Sequence, residues 1–182
     1  MKIVKAAVVL LLGLLLVTAF ACGGGSEQEA APAGWTTYSN SSLGISIQYP
    51  QDWGKVELQN GSITTIAFGF GKRSDSIYGE MVAVGVDDGL SATLSEWVEG
   101  TIITLREYTG FNLVESSAAT LAGMPAHKFV YTWEDDSYSV KCMKIISVKN
   151  NYVYYIDLIT DVATYESDLK TAQQMIDSFV IY

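Results

Sequence analysis

The residues best able to do chemistry are two runs of carboxylates, Asp87-Asp88 and Glu134-Asp135-Asp136, each expected at the end of a strand. Clustered carboxylates on a turn suit a hard cation such as calcium, which takes six to eight oxygen ligands. Neither run has the spaced ligands and central glycine of an EF-hand loop, so solvated turns are the competing reading. His127 is the single histidine, and its phase sets it on a strand face with Phe129, Tyr131 and Trp133. There a structural role competes with that of a general base or metal ligand. One histidine cannot make a His-rich zinc site or a catalytic triad without partners that the sequence does not reveal. Gly69-Phe70-Gly71-Lys72 invites a phosphate-binding reading, but a P-loop wants glycine where Ile66 stands and Ser or Thr where Arg73 stands. No catalytic residue and no cofactor site beyond that cation is therefore assigned. Asn40-Ser41-Ser42 and Asn60-Gly61-Ser62 fit glycosylation acceptors.

The two cysteines differ in context. Cys142 sits in an apolar strand pattern, where a buried thiol is weighed against a reactive nucleophile. Cys22 ends a leader: Lys2 and Lys5 precede an uncharged, leucine-rich run over 6–21, and Cys22-Gly23-Gly24-Gly25-Ser26 follows. A positive start, a short apolar run and small residues before a cut site describe a secretory signal, and the run is short for a bilayer core of about 30 Å. The setting of Cys22 resembles the lipobox of bacterial lipoproteins, although Ala19 and Phe20 stand where that pattern has leucine and a small residue. The resemblance implies lipidation of Cys22 and a membrane anchor of several acyl chains, each buried CH₂ contributing about 0.8 kcal/mol. Cleavage by an ordinary signal peptidase and retention as an uncleaved anchor are the other readings. Residues 22–34 hold no large apolar side chain and read as a disordered tether with a reach of roughly 20 Å. With Cys22 lipidated, Cys142 has no partner for a disulfide.

The chain carries a formal charge of −9, and loss of Lys2 and Lys5 with the leader leaves 9 basic against 20 acidic residues. Such a surface repels phosphate backbones, so no nucleic-acid partner is expected. Basic protein patches and cations are the electrostatic partners it favours, and solubility alone is the plainer explanation.

These side chains must be positioned by a single domain over 35–182. Residues 35–38 and 43–49 form a hairpin. In the second strand Ile45, Ile47 and Tyr49 alternate with Ser46 and Gln48, as in a half-buried strand, up to Pro50 and Trp53. Strands are expected over 56–58, 63–70 and 77–86, with an Asn60-Gly61 turn between the first two. Thr93 and Glu96 have capping-box spacing, and Leu94, Trp97, Val98, Ile102, Leu105 and Tyr108 recur at helical steps, predicting a helix over 93–108 stopped by Gly110. Strands over 111–120, 126–134, 138–149 and 152–160 follow, joined by tight turns, and both phases of the last two are apolar, as in a sheet covered on both faces. A second helix carries Tyr165, Leu169, Ala172, Ile176 and Phe179 on one stripe, and Val180-Ile181-Tyr182 ends as a short strand. The pattern predicts an α+β fold, a mostly antiparallel sheet of about seven strands flanked by two helices as an α/β/α sandwich.

The stretch from Tyr38 through Leu43-Gly44-Ile45-Ser46-Ile47-Gln48-Tyr49-Pro50-Gln51-Asp52-Trp53 resembles the opening of PsbP-like domains, relatives of the extrinsic oxygen-evolving subunit of photosystem II. Leu121-Ala122-Gly123-Met124-Pro125-Ala126 and the closing Ile176-Asp177-Ser178-Phe179-Val180-Ile181 are similar to that family's middle and end. The resemblance implies a binding surface rather than a reaction. Photosystem subunits are made for the thylakoid lumen, whereas this leader is of a lipid-anchor type, so a role in oxygen evolution is not carried over. The expectation is a non-catalytic, lipid-anchored domain on the extracytoplasmic face of the cell membrane, docked on a membrane or envelope protein complex. A cation- or small-ligand-binding lipoprotein is the alternative, and a hydrolase the third reading.

Overall fold

The computed structural model describes residues 30–69, 81–88, 92–135 and 138–182; the leader, Cys22, most of the tether and Asp136 lie outside them. Pro32 and Gly34 already belong to the folded part, their carbonyls accepting hydrogen bonds from the backbone N–H groups of Trp35 and Gln51. Among the described residues ten strands and two helices follow: β1 (Trp35–Asn40), β2 (Ile45–Pro50), β3 (Gly54–Asn60), β4 (Ile63–Gly69), β5 (Met81–Asp87), α1 (Leu94–Leu105), β6 (Asn112–Leu121), β7 (Met124–Asp135), β8 (Tyr138–Lys149), β9 (Tyr152–Asp161), α2 (Tyr165–Asp177) and β10 (Val180–Ile181).

The main sheet has seven strands in the order β3-β4-β5-β9-β8-β7-β6, with each neighbouring pair antiparallel. Its tight hairpins come from local turn chemistry. Asn150 and Asn151 both take positive φ, the geometry of a two-residue hairpin turn, and pair Lys149 with Tyr152. Ala122 and Gly123 do the same, so Pro125 falls inside β7 rather than in the turn. The capping box on α1 is complete: Thr93 Oγ1 accepts from the Glu96 N–H, and the Glu96 carboxylate accepts from the Thr93 N–H at 2.7 Å. The helix ends at Leu105, short of Tyr108, because the backbone tightens there into bonds from Glu107 to Thr104 and from Tyr108 to Leu105.

Both faces of the sheet are covered. On one, Phe68, Val82, Val84, Ile156 and Leu158 pack with Tyr165, Ala172, Met175 and Ile176 of α2 and with Ile45 and Ile47 of β2. On the other, Phe129, Tyr131, Cys142, Ile146 and Val153 pack with Leu105 of α1. β2 departs from its sequence reading. It belongs to a separate three-stranded sheet, β1-β2-β10, and it is buried on both faces, Ser46 and Gln48 included. Its central place in the small sheet and the packing of α2 against it remove the polar phase from solvent as well.

Candidate functional site: a cavity beneath α1

α1 does not seal its face of the sheet. A cavity of about 550 Å³ lies between the helix and strands β7, β8 and β9. Trp97, Gly100, Thr101, Thr104 and Leu105 line it from the helix, and Tyr131, Lys144, Ile146, Tyr155, Asp157 and Ile159 from the sheet. At its base Lys144 Nζ meets Asp157 Oδ2 at 2.6 Å, with side chains only 17% and 14% exposed. The same ammonium sits 4.1 Å above the centre of the Tyr155 ring. Tyr155 in turn lies across its ladder partner Gly85, and its hydroxyl is 3.3 Å from Thr65 Oγ1. Two of the lining residues each keep a buried polar atom without a hydrogen-bond partner, Asp157 Oδ1 and Trp97 Nε1.

Lys144 and Asp157 belong to no sequence motif, yet the sequence carries a signal for their pairing. The Asn150-Asn151 turn fixes the register of its hairpin, and Lys144 and Asp157 stand the same distance out on either side, so they must face each other. Gly85 and Trp97 had no such signal, since what meets them comes from distant parts of the chain.

The sequence-predicted carboxylates lie elsewhere. Asp87 ends β5 and is 2% exposed, accepting a hydrogen bond from Ser62 Oγ at 2.7 Å. Asp88 is exposed beside it, and Glu134 is exposed near the end of β7, its side chain against Gly110. Asp135 closes β7 opposite Tyr138. Asp87 pairs with Val153 and Glu134 with Ser139, so the two runs sit at opposite ends of the sheet, with most of β9 between them. At about 3.3 Å per residue that is a separation of roughly 25 Å. Among the described residues no group of three or more metal-ligating side chains comes together.

With this geometry in view, comparison with known proteins identifies the lineage. The family model for PsbP-like protein matches residues 24–181. The chain belongs to the PsbP-like protein family. Among solved structures, this PsbP-like chain is similar to the cyanobacterial PsbP (CyanoP) of Synechocystis sp. PCC 6803, with a TM-score of 0.63 at 16% identity, covering 87% of this chain and 98% of that one. It is also similar to LpqN of Mycobacterium tuberculosis, with a TM-score of 0.57 at 14% identity, covering 81% of this chain and 90% of that one. These likenesses show the shared fold. A search of curated proteins finds no match.

Elsewhere in the PsbP-like domain one hydroxyl lies beside the single histidine. Ser116 Oγ lies 2.8 Å from His127 Nε2, a nucleophile-to-base distance, but among the described residues no carboxylate bonds the other ring nitrogen. Neither side chain lines the cavity. Instead the His127 ring packs 4.7 Å from that of Phe129.

Cys142 is 2% exposed on the covered face, and burial pushes its thiol up to about 11 from an ordinary 9.0. Burial pushes the Tyr131 phenol up as well. Because the folded thiol ionises later than the unfolded one, its contribution to stability is full below pH 9 and is lost as pH rises toward 11. In the Cys22→Ser chain, where Cys142 is the sole thiol, iodoacetamide is expected to leave the native protein unmodified at pH 8 and to label it fully in urea. Rapid labelling of the native chain would show an accessible thiolate instead.

Proposed function

We propose that this chain is a lipid-anchored accessory domain on the extracytoplasmic face of the cell membrane, which docks on a membrane or envelope protein complex and works by binding. The observation that carries this reading is strand β3. It is an edge of the main sheet, exposed at all seven residues, and Val56 and Leu58 stand on one of its faces at 56% and 59% exposure. A straight edge with side-by-side apolar residues is a template for an added strand from another chain. The opposite edge differs: β6 is broken by a register shift between Leu113 and Glu115, which blunts such pairing. On the other face of β3, Lys55 pairs with Glu57 at 2.9 Å and lies over the Tyr38 ring of β1, tying the strand to the small sheet. The involvement of LpqN in cell envelope biogenesis is in keeping with this role.

Two measurements test the reading. A photo-crosslinking amino acid at Leu58 is expected to trap one dominant membrane protein in cells, while the same probe at Ile103, 65% exposed on α1, traps none. Absence of a Leu58 product, with the chain intact, overturns docking through β3. Replacing Cys22 by serine is expected to move the protein to the soluble fraction; unchanged retention would point to an uncleaved apolar segment.

A further inference from the structure

The cavity beneath α1 has no part in edge-strand docking, and its lining describes an occupant. At about 550 Å³ it falls within the range of small-molecule sites, and Trp97, Tyr108, Tyr131 and Tyr155 give it flat aromatic walls. Among the described residues three charged groups line it: Glu96, Asp157 and Lys144. Two carboxylates against one ammonium leave this described lining net negative. Glu96 stays ionised because the Thr93 backbone N–H and hydroxyl both bond its carboxylate, which lowers its pKa. The Lys144 ammonium is already engaged by Asp157 Oδ2 and the Tyr155 ring, so it has little left to offer an anion. Asp157 Oδ1, by contrast, is a buried acceptor with nothing on it, and Trp97 Nε1–H a buried donor with nothing to receive it. Native structures rarely leave such atoms unmet, and a ligand meets them here when the Asp157 side chain turns toward the cavity it lines.

Gly100 supports the same conclusion from the backbone. Glycine inside a helix costs about 0.5–1 kcal/mol relative to alanine. A Cβ built on Gly100 would meet nothing within 4 Å, so neither packing nor backbone conformation calls for glycine there. What its missing side chain leaves is space on the cavity lining, where the residue stands exposed.

We propose that the cavity beneath α1 binds a small aromatic amine, its ring against the aromatic walls and its ammonium on the Asp157 carboxylate once that side chain turns Oδ1 toward the cavity. The ammonium gains a charge-assisted hydrogen bond and a cation–π environment together.

The test uses the full chain in non-ionic detergent with two fluorinated probes of like ring and opposite charge, 5-fluorotryptamine and 5-fluoroindole-3-acetate, followed by ¹⁹F line broadening. The amine is expected to broaden in a saturable way and the acid to stay sharp. Gly100→Leu, which fills the opening without touching the ion pair, is expected to abolish the broadening, and Asp157→Asn to weaken binding by about tenfold or more. Thermal melting establishes that each variant is folded. Equal broadening of both probes, or amine binding unchanged in folded Gly100→Leu, overturns the proposal. So does a sharp amine resonance with the folded parent chain at millimolar probe.

Discussion

Replacing Lys144 by methionine is expected to destabilise the domain by about 3–5 kcal/mol, because it strands a buried carboxylate. Methionine keeps an unbranched apolar stem, so packing changes little while the 2.6 Å partner of Asp157 Oδ2 disappears. The other oxygen of that carboxylate already lacks a hydrogen bond, so the variant leaves both unmet. Taking out the charges together should behave differently. Lys144→Met combined with Asp157→Leu is expected to restore most of the loss or exceed the parent, since a largely desolvated ion pair recovers little of its desolvation cost. Urea unfolding of the Cys22→Ser chain, with and without these changes, measures both values as shifts in midpoint at constant slope. A single-variant loss below about 1 kcal/mol would place the pair among solvent-screened surface bridges.

Gly85→Ala is expected to cost about 1–3 kcal/mol through overpacking. A Cβ at this position would stand 1.9 Å from Cζ of Tyr155, with both neighbouring ring carbons at 2.3 Å. The ring cannot stay where it is. Swinging it away breaks its stacking under the Lys144 ammonium and its approach to Thr65, and uncovers the β5 backbone. The same unfolding assay on Gly85→Ala, Tyr155→Ala and the double variant separates this clash from a general weakness of β5. With a clash, the double variant loses less than the two singles together, by a coupling within about 0.5–3 kcal/mol. Strict additivity would mean that the ring moves without cost.

Much of the fold was legible because much of it is local. The alternation in β4 and β7, the helical recurrence from Leu94 to Leu105, the Thr93–Glu96 cap and the Asn150-Asn151 turn each depend on residues a few positions apart. Short antiparallel hairpins then follow without further information, including the facing of Lys144 and Asp157. The site was less legible than the fold. The acidic turns stand out in composition, yet β9 separates them and Asp87 is turned inward to Ser62. Trp97 reads as one more apolar residue on the inner stripe of α1, and nothing in its neighbourhood says that its indole nitrogen ends unpartnered.

By itself, then, the sequence determined the elements, their caps and turns, the α+β class, the acidic surface and the family likeness carried by short motifs around Tyr49-Pro50 and Gly123-Met124-Pro125. The tertiary structure alone decided that β2 leaves the main sheet to join β1 and β10, that β5 pairs with β9, and that Tyr155 covers Gly85. It also decided that α1 stands off the sheet above a buried ion pair. The physical reason is range. Periodicity and turn chemistry act over a few residues, whereas pairing between distant strands and the fit of a helix on a sheet are chosen by the burial and packing of the whole chain at once.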